Sequence, residues 1–195
     1  MPTAAPFERH TERYDQWFED HRDAYRPELA ALRRLVPEGG RGLAVGVGTG
    51  RFAAPLGVEV GLDPARAPLE RARERGVKVT RGVAEHLPFR DGAFDTVLVV
   101  TTVCFVDDIP RMLAEADRVL AASGRLVVGY VDRESPLGRV YQEHKDENPF
   151  YREATFVATD EFREELAAAG FTDTEFAQTI YHPLGEIDGP EPVEE

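Results

Sequence analysis

Apolar residues fall along this chain in two patterns. Between Phe7 and Val36, the residues Phe7, Tyr14, Trp17, Phe18, Tyr25, Leu29, Leu32 and Leu35 recur near helical spacing. That predicts two helices broken at Pro27, because proline lacks a backbone donor and crowds the preceding turn. PEGGRG then ends them. Short continuous apolar runs follow at 43–47, 58–62, 77–79, 94–100 and 126–131, without the alternation of a strand that has one wet face. Strands covered on both faces read this way. Helix-like stretches lie between them at 50–56, 65–75 (closed by Gly76) and 109–122 (closed by Gly124). A glycine just past a helix takes the left-handed cap conformation. Alternating strand and helix predicts an α/β fold, a doubly wound and mainly parallel sheet with helices on both faces.

Composition narrows what such a domain does. At 195 residues it reads as one domain, and 42% hydrophobic with 30% charged residues describes a globular chain. No apolar run approaches the roughly 20 residues of a membrane span. The opening MPTAAPFERH lacks a basic segment followed by an apolar one, so no secretory signal is expected. The single cysteine, Cys104, excludes an intrachain disulfide, and a cytoplasmic setting follows most simply. A formal charge of −13 argues against nucleic acid, whose binding depends on Lys and Arg at phosphates. His21, His144 and His182 have no ligand-like spacing, so no metal is expected.

The chemistry concentrates in RGLAVGVGTGRFAAPLGVEVGLDP, residues 41–64. Gly46, Gly48 and Gly50 fall at the carboxyl end of the first candidate strand, where doubly wound sheets bind ligands. Glycine costs about 0.5–1 kcal/mol inside regular structure, and in return the backbone can turn sharply and approach a ligand closely. Asp63 ends the second candidate strand, from which a carboxylate can accept both hydroxyl hydrogens of an adenosine ribose. It equally suits a helix N-cap, with Pro64 as first helical residue. Gly48, Gly50 and Ala53 also fit the dinucleotide pattern G-x-G-x-x-A, which keeps an NAD(P)-binding oxidoreductase in view. Against it, the acid comes only 13 residues after Gly50, and GVAEHLPFRDGAFDTVLVVTTVCFVDD follows at 82–108.

The order GVGTG, GLDP, AEHLPFRDGAFD, a strand, then EADRVLAASGRLVVG resembles the class I S-adenosylmethionine-dependent methyltransferases of the type 11 group, which includes menaquinone- and ubiquinone-biosynthesis enzymes. The resemblance covers roughly residues 36–132. It implies methyl transfer from S-adenosylmethionine to a small-molecule acceptor, leaving S-adenosylhomocysteine. By the same resemblance Gly46, Gly48 and Gly50 face the methionine moiety and Asp63 holds the ribose. Ala84 and Glu85 then border the adenine, Thr101 lies under the sulfonium, and Tyr14 reaches the cofactor carboxylate. Two departures stand out. Ala44 occupies the place of the usual first-strand acid, which keeps a non-catalytic adenosyl-binding domain in view. The family's seventh strand has no counterpart either: 172–181 can supply a sixth, and HPLGEIDGPEPVEE nothing more. The seventh strand therefore reads as missing or truncated, and an edge left without its neighbour implies pairing into a homodimer.

The chain then divides into lid helices at 1–36, a cofactor core at 37–132, a substrate-covering segment at 133–158, a last helix and strand at 159–182, and a frayed tail at 183–195. Candidates for the acceptor side are Trp17 and His21 in the lid, Cys104 after the fourth strand, and Tyr130 and Arg133 after the fifth. Tyr141, His144 and Tyr151 lie in the covering loop, with His144 or His21 the candidate base. Each also has a plain reading, aromatic packing for the lid residues, a buried thiol for Cys104 and solvated loop for the rest. Asp107 and Asp108 read as caps of the next helix.

Overall fold

The computed structural model describes residues 4–182 and 184. Three helices open the chain: α1 (Ala5–Arg9), α2 (Thr11–Asp20) and α3 (Arg22–Leu35). The breaks fall at His10 and His21, and Pro27 lies inside α3. Pro27 follows the first helical turn, so the helix forgoes one bond there and continues. A buried stripe of Ala24, Ala31 and Leu32 packs α3 onto the sheet.

The sheet has five strands, β1 (Gly42–Val45), β2 (Val60–Asp63), β3 (Lys78–Arg81), β4 (Phe94–Val100) and β5 (Leu120–Gly129). All pair in parallel in the order β3-β2-β1-β4-β5. The order reverses at β1, the switch point at which such sheets hold ligands. The crossovers use α4 (Arg66–Glu74) and α5 (Ile109–Val119), and α6 (Pro136–Glu143) and α7 (Thr159–Ala168) follow β5. Two apolar layers flank the sheet. Leu43, Val45, Val97, Val99, Leu113 and Phe162 build one, and Leu32, Ala44, Leu98, Val127, Leu69 and Ala72 the other.

Three expectations need correction. The stretch 50–56 is not a regular helix but a run of turns at 51–57, fixed from outside by side chains described below. The helix predicted to Ala122 ends at Val119, and β5 begins at once with Leu120, pairing with Phe94 across an irregularity in register; Gly124 therefore lies in a strand. The segment 172–181 joins no strand of the sheet; Phe171 and Phe176 instead pack on the core, with the Arg163 guanidinium 4.4 Å over the Phe176 ring. Among the described residues β5 is an edge strand. The tail expected to fray, 183–195, lies outside the described residues apart from 184.

Candidate functional site

The glycine loop is shaped by left-handed backbone. Gly46, Gly48 and Gly50 have φ of +69°, +52° and +80°, values that a side chain makes costly. A Cβ on Gly46 would also run into the Thr102 hydroxyl. Thr102 in turn donates to the Val100 carbonyl at 3.0 Å, so the loop and the end of β4 meet without space between them. Thr101, just past β4, takes φ +50° and donates its N–H to Gly129 O at 2.7 Å. A β-branched residue held at that φ carries backbone strain.

The tips of β1 and β2 touch. Asp63 Oδ2 accepts the Gly48 N–H at 2.9 Å and Oδ1 accepts the Ala65 N–H at 2.8 Å. Burial lifts this carboxyl to about 6, against the pull of those two bonds. The N-cap of α4 is Ala65, so neither Asp63 nor Pro64 starts the helix as a cap pair would. That role passes to α1, whose Glu8 Oε2 accepts from Arg66 N at 2.5 Å and Ala67 N at 3.1 Å.

Beyond this junction lies a cleft which, with its open mouth, encloses about 640 Å³. Gly46, Gly48, Asp63, Ala84, Glu85, Thr101 and Tyr14 are among the residues that line it. Gly50 is the exception: a Cβ there would stand 3.1 Å from Ala72 Cα, so its bareness serves the contact with α4 and not the cleft.

The LPF...FD signature holds the cleft's far end. Arg118 chelates Glu115 at 2.8 Å through two nitrogens, and donates to the carbonyls of Leu87 and Phe89 and to Asp91. Glu115 also accepts the Leu87 N–H at 2.7 Å, and these partners hold its carboxyl down at about 2. Phe89 meets Phe94 edge to face at 5.1 Å. Glu85 Oε1 accepts from Asp107 N at 2.7 Å, whereas Oε2 is buried with no hydrogen-bond partner. A buried acceptor left open at a cleft wall suits a ligand that donates a hydrogen. Asp108 caps α5, accepting from Arg111 N at 2.9 Å; Asp107 acts through its backbone.

The N-terminal helices are tied down over the glycine loop by charge. Arg51 grips Asp15 at 3.0 and 2.8 Å and Glu19 at 2.5 Å, and Arg75 reaches the same Asp15 at 2.8 Å and Thr49 O at 2.7 Å. The two guanidiniums hold the Asp15 carboxyl well below the usual carboxylate range despite partial burial. The Tyr25 hydroxyl donates to Arg51 O at 2.6 Å. The neighbour of Asp15, Tyr14, is thereby seated 3.4 Å from where a Cβ on Gly48 would stand. Around it Phe7, Phe150 and Phe105 form a continuous aromatic roof with ring centroids 5.1–5.9 Å apart. Ala44, in place of an acid, borders a smaller void of about 330 Å³ with Tyr14, Phe18 and Val100.

The acceptor-side candidates are scattered. Trp17 and His21 stack on each other at 4.7 Å, with His21 Nδ1 3.0 Å from Trp17 O at the α2–α3 junction, outside the cleft lining. Cys104 is buried against Ala154 and Phe156, and burial pushes its thiol up to about 12. Tyr130 Oη lies 2.8 Å from Thr159 Oγ1, which donates to Asp132. Arg133 forms a two-pronged pair with Glu161 at 2.9 and 2.7 Å, so its charge is already met. His144 is exposed at the end of α6, its Nδ1 3.1 Å from Val140 O, far from a base's position. Tyr141 and Tyr151 also meet, stacked at 4.6 Å, with Tyr151 stacked on Phe105 at 5.8 Å. Burial pushes Tyr141 up to about 12 and Tyr151 well above its usual value.

Sequence reasoning missed Thr102, Phe105, Phe7, Phe150 and Glu28. Glu28 had a signal, because Ala24, Glu28 and Leu32 repeat at four-residue spacing and put a carboxylate in an apolar stripe.

Comparison with known proteins identifies the family. A family of methyltransferase domains matches residues 43–128. A solved structure from Thermotoga maritima, described as an S-adenosylmethionine-dependent methyltransferase and possible histamine N-methyltransferase, is 48% identical. The match covers 98% of this chain and 92% of that one, with a TM-score of 0.93. An uncharacterized protein of Methanocaldococcus jannaschii is 39% identical over 93% of this chain and 88% of its own. The malonyl-[acyl-carrier protein] O-methyltransferase of Geobacter sulfurreducens is 30% identical over 91% of this chain and 73% of its own.

Proposed function

The chain belongs to the S-adenosylmethionine-dependent methyltransferases, and from that premise we propose that it methylates a small molecule held between the C-terminal ends of β4 and β5 and the aromatic roof. One observation carries the reading: the Gly48–Asp63 contact joins two strand tips in the lining of an open cleft. Asp63 is the acceptor for the ribose hydroxyls, since each oxygen makes one hydrogen bond and keeps a lone pair. Glu85, with its open Oε2, borders the adenine beside Ala84. Gly46 and Gly48 offer bare main chain to the methionine portion, with Tyr14 above them.

The donor supplies an electrophilic methyl on a cationic sulfur. The protein's part is alignment and exclusion of water, which can contribute on the order of 7–11 kcal/mol. Thr101 and Gly46 fix one side of the reacting volume, and Tyr14, Phe7 and Phe105 close the other and offer ring faces to positive charge.

The test is calorimetry with S-adenosylmethionine and with NAD, followed by a screen of metabolite extract with isotopically labelled donor. Donor binding and a labelled small product are expected. Binding of NAD instead would return the oxidoreductase reading, and donor binding with no labelled product from any acceptor would favour a domain that binds without turnover.

A further inference from the structure

A carboxyl group without a partner among the described residues sits beside the donor cleft. Glu28 makes no hydrogen bond or ion pair with any of them, although it stands against Gly129 of β5. Its Oε1 lies 3.4 Å from where a Cβ on Gly129 would stand, so the bareness of Gly129 makes room for it at the carboxyl end of β5. The Gly129 carbonyl accepts from Thr101 N, and Thr101 lines the cleft. The carboxyl is therefore next to the strand ends where the methyl would be presented.

Its other neighbours are hydroxylated aromatics. The negative charge of Glu28 is felt by Tyr14 of α2, Tyr25 of α3 itself, Tyr141 of α6 and Tyr151 of the loop after it, and helps to raise each of them. No cation is among the groups acting on Glu28, and burial lifts it to about 7. The guanidiniums that fasten the lid, Arg51 and Arg75, are engaged with Asp15 and Glu19. Holding an unmatched carboxylate partly out of water is costly, and an active site is where such a cost is met by a ligand. Aromatic faces around a carboxylate suit one class of ligand, an organic ammonium, bound by ion pairing and by ring quadrupoles together.

We propose that Glu28, beside the carboxyl end of β5 and in the neighbourhood of Tyr14, Tyr141 and Tyr151, receives the ammonium group of an amine acceptor, which this enzyme methylates on nitrogen. The inference rests on the methyltransferase reading and names the acceptor class for the same site. An ammonium has no lone pair to react, so one N–H proton passes to Glu28 Oε. The freed lone pair then forms the new N–C bond while the donor's C–S bond breaks and its electron pair stays on sulfur. Glu28 keeps partial solvent access and can release its proton there. Tyr14 lines the donor cleft and also feels the charge of Glu28, and so stands between the two ligands.

The experiment uses the full chain saturated with S-adenosylhomocysteine at pH 8, titrated by calorimetry with matched amines and alcohols of four frames: phenylethyl, imidazolylethyl, indolylethyl and linear butyl. At least one amine is expected to bind about tenfold tighter than its alcohol, the scale of a charge-assisted hydrogen bond. Glu28→Gln, checked for folding by circular dichroism, is expected to reduce that preference to about threefold or less with donor affinity unchanged within about threefold. The preference should grow as pH rises through about 7 and Glu28 ionises. Donor binding without preference for any amine overturns the proposal and leaves the methyltransferase reading standing; absence of donor binding overturns that reading itself. A Glu28→Gln protein that keeps the amine preference, or that loses donor affinity instead, also overturns it, the latter by assigning the carboxyl to the donor's own ammonium.

Discussion

Asp63 does two jobs with one carboxylate. It holds Gly48 N and Ala65 N, and in our reading it accepts the ribose hydroxyls as well. Asp63→Ala is expected to weaken donor binding by about 1.5–3 kcal/mol in calorimetry, the scale of charge-assisted hydrogen bonds. Asp63→Asn separates the jobs, because the amide keeps one oxygen for backbone N–H and loses the charge. Unchanged donor affinity in both folded variants would remove Asp63 from the ribose. Gly50 makes the contrasting case. Gly50→Val should cost stability through its clash with Ala72 and its φ of +80°, and lower the melting temperature, while donor affinity per folded molecule stays near the parent value.

Among the elements, the turns at 51–57 are ordered by α2 and α3 more than by their own sequence. Asp15, Glu19 and Tyr25 all bind Arg51, and α1 caps α4 through Glu8. Glu8→Ala should destabilise the protein by about 1 kcal/mol, as lost N-caps do, read as a lower midpoint in urea. Arg51→Ala leaves Asp15 only Arg75 and frees the loop, so donor affinity should fall although Arg51 lies outside the donor cleft lining. An unaltered donor dissociation constant would mean that the loop is rigid without the helices. The same interactions explain what was legible in sequence. β4 was readable to the residue, because an apolar run bounded by polar residues carries its own period. The run 51–57 was not, because its order comes from residues about thirty positions earlier. Pro27 misled for a related reason, since packing of Ala24, Ala31 and Leu32 on the sheet outweighs one missing hydrogen bond. At the candidate site, that Gly46, Gly48 and Asp63 line one cleft could be read from position on strands alone. Arg133 could not, because its partner Glu161 is 28 residues away.

For the molecule as a whole, two groups of carboxylates pull stability in opposite directions with pH. Glu28 and Asp63 are raised on folding, to about 7 and about 6. The native state therefore binds more protons than the unfolded chain between roughly pH 4 and 7, and their contribution is full at the acid end and lost as pH rises through those values. Asp15 and Glu115 are lowered, so theirs is full above the ordinary carboxylate range and lost as pH falls below about 4. Stability of the ligand-free protein should peak near pH 4–5 and decline toward pH 8. Glu28→Gln should flatten that decline by on the order of 2 kcal/mol, measured as urea midpoints across the range. An equal decline in the variant would mean that Glu28 is hydrated and near its ordinary value.

The clamp of Asp15 and Glu19 on Arg51 and Arg75 has a kinetic side. Phe7 and Tyr14 line the cleft, so spent cosubstrate must depart past helices fastened by partly buried ion pairs at 2.5–2.8 Å. Dissolved electrolyte screens charge over about 10 Å at 0.1 M and about 3 Å at 1 M, so such fastenings loosen only toward molar strength. Residence time of S-adenosylhomocysteine should therefore shorten as sodium chloride is added, and turnover limited by that departure would be faster in brine than in dilute buffer.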